Sequence, residues 1–113
     1  MSVTIWHNPR CSKSRRALSI IREQGIEPEV IEYLDTPPSV TELKETAALL
    51  GIGPSGFIRK TEKAYKELEL KDSDDQTLFA AMAGHPILIE RAIVFANGKA
   101  VVARPPEDVR EIL

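Results

Sequence analysis

The alternation of apolar and polar positions cuts the chain into short segments whose order already limits the fold. Val3-Thr4-Ile5-Trp6 reads as a strand ending at His7-Asn8-Pro9, where the Asn-Pro pair marks a turn. Over Ser12 to Gln24 the period lengthens: Ala17, Leu18 and Ile21 recur at helical spacing, and Gly25 supplies a stop. Glu29 to Leu34 predicts a second strand with Val30, Ile31 and Leu34 as its buried contacts, ended by Pro37-Pro38. Ser39 and Glu42 stand at capping-box spacing, in which each side chain accepts a backbone N–H from the other residue. A helix is therefore expected to run to about Leu50, with Gly51 after it.

Gly53-Pro54-Ser55-Gly56 predicts a loop or a short helix start, and Thr61 to Leu68 a further helix. Ser73 with Gln76 offers a second capping box, opening a helix to about Ala83 that stops at Gly84. Arg91 to Ala96 and Lys99 to Arg104 flank Asn97-Gly98, the strongest two-residue hairpin signal. Pro105-Pro106-Glu107 opens a last helix, because proline is tolerated at a first helical position. The order is β-α-β, a helical block, then β-β-α. A β-α-β unit requires a parallel pair with a right-handed crossover, and the hairpin adds antiparallel strands. The expectation is an α/β fold: a four-stranded mixed sheet with helices on both faces. No repeat, linker or low-complexity tract interrupts residues 1–113, which are read as a single domain.

Composition narrows the class. With 113 residues, 42% hydrophobic and 28% charged, the chain has the make-up of a soluble globular domain that can build a core without staples. Its longest apolar runs, such as Pro86-Ile87-Leu88-Ile89, fall far short of the roughly 20 residues a membrane helix needs. No basic segment followed by an apolar core marks a leader. The single cysteine excludes an internal disulfide and a cysteine-based zinc site, so no metal is expected, and a reducing, cytoplasmic setting is. A net charge of −2 argues against general nucleic-acid binding. Its distribution is uneven: Met1 to Arg22 holds Arg10, Lys13, Arg15, Arg16 and Arg22 but no Asp or Glu. That local imbalance points to an anionic partner.

Cys11 lies within this stretch, between the first strand and the first helix, where α/β folds place ligands. Unpaired N–H groups and the helix dipole favour negative charge there. Nearby cations add to this and lower a thiol's pKa from about 8.5. Thiolate is the nucleophile, so Cys11 is the candidate catalytic residue. Free cysteines are commonly inert and buried, but the loop position and the absence of acids favour a reactive one. His7 is a candidate to stabilise the thiolate, as a charge or as a donor, though an ordinary loop histidine explains it equally well. Ser12 and Ser14 are candidates to hydrogen-bond the thiolate or an oxyanion, and capping accounts for at least one of them. Ser14 stands where a Cys-x-x-Cys motif would have its second thiol, so any redox turnover needs an external thiol. Arg59, Arg91 and Arg104 are further candidates, since guanidinium groups bind oxyanions through paired, charge-assisted hydrogen bonds. Arg91 and Arg104 flank the hairpin almost symmetrically and should be neighbours at its open end. On spacing alone, three scattered surface arginines would serve as well.

Five ordered segments carry a resemblance. They are His7-Asn8-Pro9-Arg10-Cys11-Ser12-Lys13-Ser14-Arg15, Tyr33-Leu34-Asp35-Thr36-Pro37-Pro38-Ser39, Ile58-Arg59-Lys60, His85-Pro86-Ile87-Leu88-Ile89-Glu90-Arg91-Ala92-Ile93-Val94 and Ala103-Arg104-Pro105-Pro106-Glu107. Over essentially its full length the chain resembles the glutaredoxin-coupled arsenate reductases, which have a thioredoxin-like fold with a helical insertion. The resemblance implies that Cys11 attacks arsenate and that Arg59, Arg91 and Arg104 bind the oxyanion, while His7 lowers the cysteine's pKa. It also implies glutathione as co-substrate, glutaredoxin as partner and no bound cofactor.

One position departs from the family pattern: Ala92 stands where proline commonly follows the second arginine. A non-proline cis peptide costs about 2.5–4 kcal/mol, so the Arg91–Ala92 bond is expected to be trans. Two other readings accompany the leading one. The first is a glutathione-linked thiol oxidoreductase of the same fold acting on another oxidised substrate. The second is a redox-responsive transcription regulator, disfavoured because such switches use a Cys-x-x-Cys pair. A low-molecular-weight phosphatase is excluded, because Ala17 stands where its Cys-x5-Arg loop requires arginine.

Overall fold

In the computed structural model, which describes residues 2–113, strand β1 (Val3–Trp6) lies at the centre of a four-stranded sheet. It pairs in parallel with β2 (Glu29–Ile31) and antiparallel with β3 (Ile93–Ala96), which pairs antiparallel with β4 (Lys99–Val102). The strand order is β2-β1-β3-β4, the mixed sheet with flanking helices that the sequence predicts. Residues up to Thr36 together with Arg91–Leu113 form one compact unit, and Pro37–Glu90 forms a second.

The first unit is built on alternation. Val3 and Ile5 of β1 bury on one sheet face with Val94 and Ala96 of β3. Helix α1 (Ser12–Glu23), the β1–β2 crossover, lays Ala17, Ile20 and Ile21 on that face. A closing 3-10 helix, Pro106–Glu111, adds Val109, with Ile112 just beyond it. Trp6 points to the opposite face and meets Phe95 edge-on, with ring centroids 5.1 Å apart at 61°. Asn97 and Gly98 join β3 to β4 with φ of 55° and 72°, as a two-residue turn with both centres left-handed requires.

Strand β2 is shorter than expected and its buried set differs. Val30 and Leu34 are exposed, whereas Tyr33 is buried. The cause is position: β2 is an edge strand, and at Glu32 the chain turns, its carbonyl accepting from Asp35 and Thr36 N–H at 3.0 Å each.

In the second unit, helix α2 (Val40–Leu50) opens with the predicted capping box. Glu42 N–H donates to Ser39 Oγ at 3.1 Å, and Ser39 N–H donates to Glu42 Oε1 at 3.0 Å. Gly51 ends it at φ 71°. A 3-10 turn covers Pro54–Gly56, and the helix expected over Thr61 to Leu68 contracts to α3 (Lys63–Glu67). Helix α4 (Asp75–Gly84) starts one residue later than Ser73 implies. Its cap is Asp74, whose carboxylate accepts from Thr77 N–H at 2.9 Å. A carboxylate caps as well as a hydroxyl and also favours the positive end of the helix dipole. Leu43 and Ala47 of α2 and Leu78, Phe79 and Met82 of α4 are buried. The segments around Ile58 and Ile89 form an antiparallel bridge, with Arg59 N–H on Leu88 O at 2.7 Å and Glu90 N–H on Phe57 O at 2.9 Å. Among the described residues no helix is long and apolar enough to cross a membrane.

Candidate active site

After β1 the backbone extends the parallel pairing by one bond, His7 N–H to Ile31 O at 2.8 Å, and then turns. Asn8 organises that turn three times over. Its carbonyl accepts from Cys11 N–H at 3.0 Å, its side-chain Oδ1 accepts from Arg10 N–H at 3.0 Å, and its own N–H donates to Ser14 Oγ at 3.0 Å. Arg15 Nη1 closes the loop from outside, donating to Pro9 O at 2.7 Å.

The turn delivers Cys11 to the N-cap position of α1 in extended conformation. No side-chain cap bond of full geometry closes on the sulfur, but the N–H groups of Ser14 and Lys13 favour its charged form. From the far end of the chain, Arg91 Nε donates to Cys11 Sγ at 2.9 Å. Burial is the largest single influence on the thiol and raises its pKa. Ser14 N–H, the hydrogen bond and charge of Arg91, and Lys13 N–H together outweigh it, so the pKa lies below the ordinary thiol value. Cys11 is part-exposed, so this thiolate-favouring sulfur is not sealed in the core.

His7 and Ser14 support this arrangement from behind. Both are buried, and His7 Nδ1 lies 2.7 Å from Ser14 Oγ. Burial first, then the charges of Arg22 and Arg15 against the opposing pull of Glu32, lowers the histidine's pKa, so His7 is neutral near pH 7. His7 is placed against Ser14. Ser14 reaches the thiol through its backbone N–H, while its hydroxyl serves His7 and Asn8. Asn8 and Lys13 act in the site in ways that their sequence roles, a turn residue and a cation, do not imply. The Asn-Pro turn signal marked the first; the second acts through its backbone, which side-chain identity does not reveal.

Three arginines were candidates. Arg91 is on the sulfur. Its peptide to Ala92 is cis, correcting the trans expectation; the buried Ala92 carbonyl there accepts from Ala103 N–H at 2.8 Å. The β3–β4 ladder ends at Ile93 and Val102, and Arg104 N–H turns back to Val102 O at 2.8 Å, so Arg91 and Arg104 both lie just beyond its open end. Arg104 is exposed and precedes a cis-proline, Pro105. Arg59 lies in the second unit, half-buried, with Glu62 at 3.0 Å and Glu90 at 3.8 Å.

The thiol, its guanidinium and the helix start thus form one arrangement. A model of the ArsC family matches residues 6–112. The chain belongs to the ArsC family. An arsenate reductase of Neisseria meningitidis serogroup A is 50% identical, over 98% of this chain and 97% of that protein. An arsenate reductase of Haemophilus influenzae is 45% identical, over 100% of both. Among solved structures, an arsenate reductase from Vibrio cholerae superimposes with a TM-score of 0.97 at 56% identity, covering 100% of this chain and 98% of that one. The thioredoxin-like sheet with a helical insertion is thus the fold of this ArsC chain as well as the one its resemblance implied.

Within this ArsC chain the acid-free stretch is only partly uncompensated. Arg16 pairs with Glu23 at 3.1 Å and Glu107 at 3.6 Å, and Arg22 pairs with Glu27 at 3.1 Å. Among the described residues neither Arg10 nor Lys13 makes an ion pair. Arg15, on a carbonyl, makes none either, so the cations of this stretch without an ion pair are the ones nearest Cys11 in sequence.

Proposed function

We propose that the chain is an arsenate reductase that uses Cys11 as its nucleophile and takes its electrons from glutathione and glutaredoxin. The observation that carries this reading is the 2.9 Å hydrogen bond from Arg91 Nε to a thiol whose pKa is lowered at a helix start. The Cys11 thiolate attacks the arsenic of arsenate, and an oxygen leaves as water after taking up protons. Glutathione thiolate then attacks the thiol-bound arsenic. That attack displaces a second oxygen as water. An S–S bond then forms as both arsenic–sulfur bonds break, and the two sulfurs give up two electrons to As(V). The As(III) takes up water to leave as arsenite, and Cys11 remains in a mixed disulfide with glutathione that glutaredoxin reduces. With no second cysteine in the sequence, both later thiols come from outside the chain.

Arg91 is placed in two of these steps. Its guanidinium stabilises the attacking sulfur, and its fork of five donors suits it to hold an oxyanion at the same time. Arg59 and Arg104 are assigned to the oxyanion on the family resemblance, and a reducing, cytoplasmic setting follows from the single unpaired cysteine. His7 is a positioning residue: by engaging the Ser14 hydroxyl it helps hold α1's first turn, whose N–H groups favour the thiolate.

Steady-state reduction of arsenate with glutathione and glutaredoxin tests the proposal. The wild type is expected to release arsenite, Cys11→Ser to release none, and Arg91→Ala to be slowed roughly a hundredfold, the scale of losing one preorganised charge-stabilising donor. No arsenite from the wild type under these conditions would refute the proposal.

A further inference from the structure

Beside the thiol loop, and within the first unit, lies a cavity of about 290 Å³ lined by His7, Asn8, Pro9, Arg10, Glu32, Leu34 and Asp35. Its charges are mixed and held apart. Arg10, Glu32 and Asp35 all line it, yet among the described residues none of the three makes an ion pair with any group. The contrast with the rest of the basic stretch is informative. Arg15 is used on Pro9 O, and Arg16 and Arg22 on carboxylates. Arg10 is a cation of that stretch left over on this wall, facing two carboxylates it does not neutralise. Leu34, an exposed apolar side chain, lies between Glu32 and Asp35 in sequence and lines the same cavity. The Asn8 side chain holds Arg10's backbone in place, so the guanidinium stands on an organised turn.

We infer that this cleft is the binding site for the zwitterionic end of a small thiol peptide, with Glu32 and Asp35 taking its ammonium and Arg10 a carboxylate. A wall carrying both signs of charge, separated from each other, selects a ligand that carries both signs as well. A simple anion such as arsenate would meet two carboxylates here and be repelled. The location suits delivery of a thiol. Cys11 follows Arg10 directly, about 3.8 Å away at Cα, and an extended tripeptide spans about 10 Å. A peptide anchored at Arg10 can therefore bring its thiol to the sulfur of Cys11. The inference rests on the reductase reading only for the choice of thiol peptide, glutathione.

S-methylglutathione, which keeps the charges but cannot react, is titrated into the wild-type protein and followed by amide chemical shifts. Saturable shifts are expected at Asn8, Arg10 and residues 32–35. The dissociation constant should rise roughly threefold or more in Arg10→Ala and in the Glu32→Gln/Asp35→Asn pair, as loss of part-exposed charge pairs implies. The Michaelis constant for glutathione should rise in the same variants. Shifts mapping elsewhere, no saturable binding, or variants binding within twofold of the wild type would each overturn the inference. The two proposals separate cleanly. Charge-dependent binding without arsenite formation supports the cleft and removes the reductase; arsenite formation with a Michaelis constant indifferent to Arg10, Glu32 and Asp35 does the reverse.

Discussion

At the scale of single residues, the site depends on which of two opposing influences wins at Cys11. Burial disfavours the thiolate, and the donors of Arg91, Ser14 and Lys13 favour it more. Removing the guanidinium leaves burial opposed only by the two backbone N–H groups. Arg91→Ala is therefore expected to move the pH midpoint of iodoacetamide labelling of Cys11 upward, toward or past the ordinary thiol value of about 8.5. The sign carries over to stability. A thiol whose folded pKa is depressed contributes stability that is complete above the unfolded pKa and is lost as pH falls through the folded one. In the window between those values the wild type should gain stability with rising pH, and Arg91→Ala should gain less of it. A labelling midpoint unchanged by the substitution would mean that the helix start alone activates the thiol. The sequence made the cysteine, its helix start and its surplus of positive charge readable, because those are local. It did not show that the cation on the sulfur comes from position 91, since an 80-residue separation is closed only by the sheet.

At the scale of elements, the most legible features were those whose chemistry is complete within four residues. The Ser39–Glu42 box, Gly51 and the Asn97-Gly98 turn appear as their sequences require, since capping and positive φ are decided locally. Strand β2 departs from its alternation because an edge position, which alternation cannot reveal, leaves Val30 and Leu34 in solvent. The start of α4 lies one residue beyond the Ser73 box because Ser73 and Asp74 are both competent caps, and the carboxylate is the one on Thr77 N–H. Alanine substitutions distinguish the caps. Ser39→Ala should cost about 1 kcal/mol, seen as a lower urea midpoint at unchanged slope. Asp74→Ala should also lower the midpoint, while Ser73→Ala should leave it nearly in place. A larger effect at Ser73 than at Asp74 would return the cap to the residue the sequence pattern favoured.

At the scale of the whole molecule, the question is how far the thiol's chemistry depends on the fold that presents it. Helix α1 links the two: its first turn favours the thiolate at Cys11, and its Ala17, Ile20 and Ile21 are buried against the sheet. Ile20 is fully buried, so Ile20→Ala deletes packed volume and should cost about 2–5 kcal/mol. That is a large part of the roughly 5–15 kcal/mol that holds a small domain together. The helix's own N–H groups acting on Cys11, however, lie at its other end, where the turn is fixed by short hydrogen bonds: His7 with Ser14, Asn8 with Ser14 and with Arg10, Arg15 with Pro9. Damage to packing two turns away should therefore lower the unfolding midpoint without moving the thiol's pKa while the protein stays folded. Arg91→Ala should do the opposite, raising the pKa while costing less stability. Measuring urea unfolding and the labelling profile on both variants gives four numbers that must fall in this crossed pattern. If Ile20→Ala raises the pKa as far as Arg91→Ala does, the thiolate depends on the seating of the entire helix against the sheet. The local turn would then not be the structure that activates Cys11.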